Sequence, residues 1–443
     1  MKNIWLYISK EDLNVELEQL RDEGRDISKV LPEFKKLLKV KDELKYRKEF
    51  GELLDKTIKL PMKKDYKYFE PSDLAGIKKA RPASGHKITG KLSTKVEFDR
   101  IYGAWLGRCA GCLLGKPVEG IRKAQFEKYL KSINNFPLKS YIKSVPKLLK
   151  KAKWFDRPSF INKVDHMVED DDTNYTVAGM ALMKVHGKDF KSADVANFWM
   201  NNIPILHTCT AERVAYRNFA LEIDPPASAV YRNVYREWIG AQIRADFFGY
   251  VAEGDPEKAA EYAFRDASIS HVKNGIYGEM WVAAMLAVAP YYDEPLKVIQ
   301  AGLNQIPENC RLTEDIKEVI SWYYECINYS EAINRIHKRW NENKKHHWVH
   351  TNSNAQIVAI GLLFSEMDFE KAVCRAVEAA FDTDCNGATV GSVMGMMLGA
   401  KKLPDKWVAP LHDTLETGIA GYNMVKISDM AKETIKISRR RAL

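Results

Sequence analysis

The sequence predicts an all-α fold, a compact multi-helix domain preceded by a helical N-terminal extension. Helical-period apolar segments recur from about Val96 onward, as in TVAGMALMKVHG, SADVANFWMNNI, PEKAAEYAFRDAS, GEMWVAAMLAVA and FEKAVCRAVEAAF. Sustained alternation of apolar and polar residues, the mark of half-buried strands, is scarce. Glycine also recurs at every fourth position in two segments, at Gly103, Gly107, Gly111 and Gly115 and at Gly387, Gly391, Gly395 and Gly399. On a helix this spacing makes a ridge without side chains, along which another helix can approach closely. Each glycine costs a helix about 1 kcal/mol, so packing in the core must offset several of them.

In chain order, residues 1–95 read as an extension and linker. From Ser9 to about Leu60 the pattern is charged and helical in period, with Leu13, Leu17, Leu20, Phe34, Leu37 and Leu38 as apolar positions. Ser9 and Asp12 have the spacing of a capping start. LPMKKDYKYFEPSDLAGIKKARPASGHK then reads as a wrapping linker, because its prolines and polar residues interrupt the period. Such an apolar stripe needs a partner surface, so the extension is expected to pack on the domain. Residues 96–443 form the expected compact domain. Within it, KSYIKSVPKLLKKAK has one aromatic residue and reads as a solvated face or loop rather than a nucleic-acid patch.

Composition narrows the class. The 443 residues are 46% hydrophobic and 29% charged, the balance of a globular protein with a substantial core, and the net charge of +9 is modest for that length. The start, MKNIWLYISKEDL, meets charge too soon for a secretory signal. Seven cysteines suit free thiols in a reducing compartment. No uncharged apolar run reaches the roughly 18 residues of a membrane span. A cytoplasmic protein acting on neither nucleic acid nor membrane is expected.

Acid is concentrated at two places, both at a predicted helix start. FDTDCNGATVGSVMGMMLGA carries Asp382 and Asp384, and VEDDDTNYTVAGMALM carries Glu169, Asp170, Asp171 and Asp172. Either cluster alone is explained by helix capping, since aspartate accepts bonds from free first-turn N–H groups. If the clusters converge, capping no longer suffices. Carboxylates held within about 5 Å repel by about 3 kcal/mol per pair at an effective dielectric of 20. Two divalent ions would nearly balance Asp170, Asp171, Asp172, Asp382 and Asp384, and oxygen ligands favour Mg²⁺, Mn²⁺ or Ca²⁺ over zinc.

GAWLGRCAGCLLGKPVEG, DDDTNYT, SHVKNGIYGE and FDTDCNGATVGSVMG resemble, in order and character, the motifs of the ADP-ribosylglycohydrolase family, which includes dinitrogenase reductase-activating glycohydrolase. The resemblance covers about Val96 to Ala400. It implies an all-α domain with two Mg²⁺ ions, or Mn²⁺ in their place, that cleaves the bond between ribose C1 and a nitrogen or oxygen. Asp170, Asp171, Asp172, Asp382 and Asp384 would hold the metal, with Asp171 and Asp384 central to catalysis. Glu119 matches the glutamate near the substrate ribose and would act in gating or proton transfer. Ser270 and His271 match the element lining the ribose and phosphate side and Arg244 the arginine of a further motif; Asn386 is a further expected substrate-binding residue.

Several positions depart from the family pattern. Asp170 stands where a threonine is usual, Cys385 where a second hydroxyl is, and Cys112 where many relatives have aspartate. Cys385 offers a soft donor in place of a hard oxygen. The acids are kept while these cleft positions change, so the expected substrate is a small riboside or ADP-ribosyl conjugate, with ADP-ribosylated protein as the ordinary family substrate. A nucleosidase-like hydrolase and a non-catalytic structural or binding relative are the alternatives.

Other signals carry less. Cys109 and Cys112 form a CxxC without a second pair, and His346, His347 and His350 in KKHHWVH read as a lysine-flanked surface group. GCLLGKP has Pro117 where a phosphate loop needs Ser or Thr. Tyr235, Trp238, Phe247, Phe248 and Tyr250 read as core and cleft wall.

Overall fold

The two glycine stripes pack on each other. A Cβ added to Gly103, Gly107 or Gly111 would lie closer than 3.0 Å to the backbone carbonyl of Gly395, Gly391 or Gly387, and the reverse additions meet the same partners. Residue numbers rise on one helix as they fall on the other, so helices Thr94–Gly115 and Thr383–Leu398 run antiparallel, backbone to backbone. The computed structural model describes residues 3–83, 88 and 90–440.

Almost every regular element is helical, as the periodicity predicts, and helices Asp171–His186, Asn274–Val288 and Thr351–Leu363 surround the central pair in one hydrophobic core. Their amphipathicity is weak because burial on all sides leaves no polar face to select. Helix Ile427–Arg439 covers the start of the first striped helix, where the Trp105 indole donates to Thr434 Oγ1 at 3.1 Å.

The exception to the helices is a small antiparallel hairpin, Thr414–Glu416 with Met424–Lys426. Met167 adds to it through Met167 N to Thr414 O at 3.0 Å and Glu416 N to Met167 O at 2.8 Å. This fixes the chain just ahead of the first acid cluster. Among the described residues no helix is long and apolar enough to cross a membrane.

Ser9 and Asp12 form a reciprocal capping box at helix Lys10–Asp22, and helices Leu31–Leu37 and Arg47–Thr57 follow. Their apolar faces, with Leu13, Leu17, Leu20, Phe34, Phe50 and Leu53, bury against Ala211, Val214, Val234, Tyr235, Trp238 and Val349. Beside this cluster runs a polar seam. Arg236 donates to Glu16 at 2.6 Å and to Glu23 at 2.7 Å, Gln19 donates to Glu237 at 2.6 Å, and Tyr235 bonds Asp12.

His346 and His350 are each 1% exposed, which corrects the surface reading of KKHHWVH; His347 remains partly exposed. The extension covers them. Trp238 Nε1 donates to His346 Nδ1 at 3.0 Å, leaving Nε2 to face Asp22 at 3.0 Å. The ligand atoms of Asp22, His346 and His350 lie within 4.8 Å of one another. However, both rings accept at Nδ1, His350 from Asn352 N at 3.1 Å, so each neutral ring carries its proton on Nε2, the nitrogen a metal would need.

Candidate active site

Asp382 occupies the N-cap position of helix Thr383–Leu398, yet its side chain makes no capping hydrogen bond. Helix capping therefore does not account for this acid. The turn before it is strained, with Ala380 and Phe381 at φ +64° and +59°, a region that non-glycine residues enter at a cost and that clusters at functional sites. Asn354 holds the turn from outside. Its Oδ1 accepts from Asp382 N at 3.2 Å and Asn386 Nδ2 at 2.9 Å, while its Nδ2 donates to Trp348 O and His350 O, each at 3.0 Å. Thr383 Oγ1 donates to Gly115 O at 2.9 Å, joining the ends of the two striped helices.

At the first cluster Asp170 is a true cap, accepting from Asp172 N at 2.9 Å, and it also pairs with Lys116 Nζ at 2.5 Å. Asp172 is fully buried. Arg108, itself buried, donates to Asp172 O at 2.7 Å, approaches Asp172 Oδ1 at 3.4 Å and donates to Asp246 Oδ2 at 2.7 Å. Glu169 points elsewhere, accepting from Asn174 at 3.1 Å and bonding His207.

The clusters converge. Asp171, Asp382, Asp384 and Glu119 line one cavity of about 180 Å³, with Glu212, Cys385, Trp5, Trp238 and Trp348 among the other walls. Ligand atoms of Asp382, Asp384 and Cys385 lie within 4.8 Å of one another, as do those of Cys112, Asp170 and Asp172. Asp172 Oδ2 and Asp384 Oδ1 are buried without a hydrogen-bond partner among the described residues. Orphaned buried carboxylate oxygens are costly, and hard-cation ligation is the chemistry their type suits. The donor set thus fits divalent metal, although the two cysteines are poor partners for a hard ion.

Electrostatics agrees with the crowding. Burial raises the Asp384 carboxyl well above the usual range, with Glu119 and Asp170 adding to it; burial, Asp384 and Glu119 do the same at Asp382. Asp172 is raised by burial and Asp170, against Arg108. Burial opposes ionisation of Asp170 too, but Lys116 and the Asp172 contacts outweigh it and leave that carboxyl below its usual range. Cys112 and Cys385 are pushed up by burial and neighbouring aspartates, so both are neutral thiols when no cation is bound. Glu119, with 40% of its side chain exposed and Arg157 at 3.5 Å, is raised by the burial of its remaining part and by Asp170.

Asp171 is raised to about 7 by burial, Asp170 and Asp384. With its folded value above the ordinary 3.8, the folded protein binds this proton more tightly than the unfolded chain does. The associated stability is complete below the ordinary value and lost as pH rises through about 7. Thermal unfolding of metal-free protein should therefore show Tm falling from about pH 5 to about pH 8. Asp171→Asn should lessen this slope, with Asp172, Asp382 and Asp384, raised in the same direction, supplying the remainder, and Mn²⁺ should reverse it.

The remaining expected residues lie behind the cavity wall. Arg244 is buried in an ionic network with Asp266, with Glu212 at 2.9 Å and with Glu279 at 3.6 Å, so it reaches the cavity through Glu212. Ser270 and His271 are buried and bonded to each other, Oγ to Nδ1, at 2.8 Å, and neither lines the cavity. Asn386 Nδ2 is taken by Asn354 while its Oδ1 is unpartnered among the described residues. Sequence reasoning misses Lys116, Arg108, Glu212 and Asn354. Only the proximity of Lys116 and Arg108 to the glycine stripe offers a signal.

The family model described as ADP-ribosylglycohydrolase matches residues 93–438. A solved structure described as an ADP-ribosylglycohydrolase-related protein complex shares the fold, with a TM-score of 0.50 and 17% identity over 78% of this chain and 99% of that chain. No curated protein matches the chain in sequence. The family match spans well over half of the residues and contains both acid clusters and both glycine stripes, and on that basis the chain belongs to the ADP-ribosylglycohydrolase family.

Proposed function

We propose that the protein is a metal-dependent hydrolase cleaving a ribosyl or ADP-ribosyl N- or O-glycosidic bond. The observation that carries this is the convergence of Asp171, Asp382, Asp384 and Glu119 on one cavity. In this reading Asp170, Asp171, Asp172, Asp382 and Asp384 hold two Mg²⁺ ions, or Mn²⁺ in their place. When bound, such ions supply Lewis-acid polarisation and a template for the ribose hydroxyls and the attacking water.

The protein's own residues do the rest. Carboxylates around C1 favour the positive charge that develops on the sugar as the glycosidic bond breaks. Glu119, at the partly exposed edge, moves a proton at its carboxyl oxygen to or from the reacting groups, a role that its raised carboxyl suits. Lys116 keeps Asp170 ionised and in place, and Arg244 orients Glu212. Indole and aliphatic walls from Trp238, Ile239 and Val349 exclude water from the far side.

The cavity volume favours a narrower reading, a nucleosidase-like hydrolase of small ribosides. About 180 Å³ falls below the roughly 300–1,000 Å³ of sites that enclose drug-sized ligands. A panel of simple N-ribosides, ADP-ribose derivatives, and arginine- and serine-ADP-ribosylated proteins, each with Mg²⁺ and Mn²⁺, tests both. Turnover of small ribosides or free ADP-ribosyl conjugates in preference to modified protein is expected. Efficient release of ADP-ribose from protein, with no small riboside turned over, would return the ordinary family substrate.

A further inference from the structure

We infer that the N-terminal extension is a specificity cap, in which Trp5 closes the cavity and, with Trp348, forms an aromatic wall against the substrate. This rests on the reading of the cavity as a ribosyl hydrolase site. The extension lies outside residues 93–438 that match the family, yet Trp5 lines the same cavity as Asp171 and Asp384.

Three further observations meet at this residue. Trp5 has φ +65°, a left-handed conformation that a bulky aromatic side chain adopts only where its surroundings enforce it. Arg213 enforces it, with its guanidinium over the Trp5 ring at 4.8 Å and NH1 donating to Ile4 O at 3.2 Å. The Nε1 atoms of both Trp5 and Trp348 are buried and lack hydrogen-bond partners among the described residues, though both rings line the cavity. A buried, unpaired donor is costly, so both indoles hold their places in the cavity wall against that cost.

The extension also holds a second part of the cavity wall. Glu11 pairs with Lys345 at 3.2 Å, Glu18 with Lys344 at 2.7 Å and Asp22 with His346 at 3.0 Å, fixing the short segment that carries Trp348 and Val349 into the cavity. A cap clamped on both sides admits a ribosyl unit with a small group at C1. It narrows the cavity against the diphosphate and adenosine of a longer ligand.

The test uses the full-length chain. Trp5→Ala should raise KM for a small N-riboside about tenfold with a smaller effect on kcat, because a binding wall is lost rather than a reacting group. The same variant should bind ADP-ribose, measured by calorimetry with Mg²⁺ present, at least about tenfold more tightly than the unsubstituted protein, since the obstruction is gone. Trp5→Phe keeps most of the bulk of this wall. It should raise KM by about threefold at most and leave ADP-ribose affinity near that of the unsubstituted protein, and it serves if the alanine variant folds poorly. Unchanged KM together with unchanged or weaker ADP-ribose binding in Trp5→Ala overturns the cap. If the unsubstituted protein hydrolyses neither ribosides nor ADP-ribosyl conjugates or proteins while Trp5→Ala gains ADP-ribose affinity, the cap stands and the hydrolase reading falls. Riboside turnover that Trp5→Ala leaves untouched, with no gain in ADP-ribose affinity, keeps the hydrolase reading and removes the cap.

Discussion

Replacing Asp384 by asparagine should abolish turnover, a loss of at least about 10³-fold, and leave the fold intact. The two effects separate because of what surrounds this carboxylate. Asp384 is buried, its Oδ1 has no partner among the described residues, and burial with Glu119 and Asp170 disfavours its charge. In metal-free protein the ionised side chain is thus a burden, and an isosteric neutral amide should leave Tm unchanged or higher. In the presence of metal the order reverses. A ligand at one hundred times its Kd adds about 2.7 kcal/mol to the folded state, and the variant should forfeit most of this. Thermal unfolding with and without Mg²⁺ or Mn²⁺, beside turnover, measures both halves. Unchanged turnover at saturating Mg²⁺ would remove Asp384 from the mechanism, and an equal metal-induced rise in Tm would remove it from the ligand set.

The helices are legible in the sequence because their apolar residues repeat with the helix, and the acid is legible because adjacent aspartates are costly wherever they meet. Long-range pairing is less readable. Nothing local to Gly111 says that Gly387 is its neighbour, and the four-residue spacing establishes only that some backbone approaches. The histidines of KKHHWVH mislead for the same reason. Their flanking lysines are indeed partly or fully exposed, but Lys344 and Lys345 reach outward to Glu18 and Glu11 while the rings of His346 and His350 turn under the extension. Lys116 and Asn354 escape notice because one lysine or one amide carries no pattern; their partners, Asp170 and the Asp382 turn, are distant in sequence. Ser270, His271 and Arg244, expected at the substrate, are buried and do not line the cavity that holds Asp171 and Asp384.

Gly111→Val should cost at least about 3 kcal/mol of stability, toward the upper end of what overpacking a core position produces. Intrinsic propensity points the other way, since almost any residue is a better helix former than glycine by several tenths of a kcal/mol. Packing decides the sign. The first carbon of the new side chain would fall well inside contact distance of the Gly387 carbonyl, and backbone cannot swing aside as a flexible side chain can. The helices would have to separate along the whole ridge, because Gly103, Gly107 and Gly115 make the same kind of approach. Separation at Gly111 also lifts the bond from Thr383 to Gly115 and shifts Asp384 relative to Lys116 and Asp170, so metal-induced stabilisation should fall with the fold. Gly179→Ala in helix Asp171–His186 is the control. Its nearest neighbours are Phe247 side-chain atoms at 3.2 and 3.5 Å, which can yield by the few tenths of an ångström needed, so its effect should stay within about 1 kcal/mol. Denaturant unfolding of both variants makes the comparison. A Gly111→Val protein as stable as the Gly179→Ala control would mean that the stripes are not in backbone contact, and the placement of Asp382 and Asp384 by that contact would fail with it.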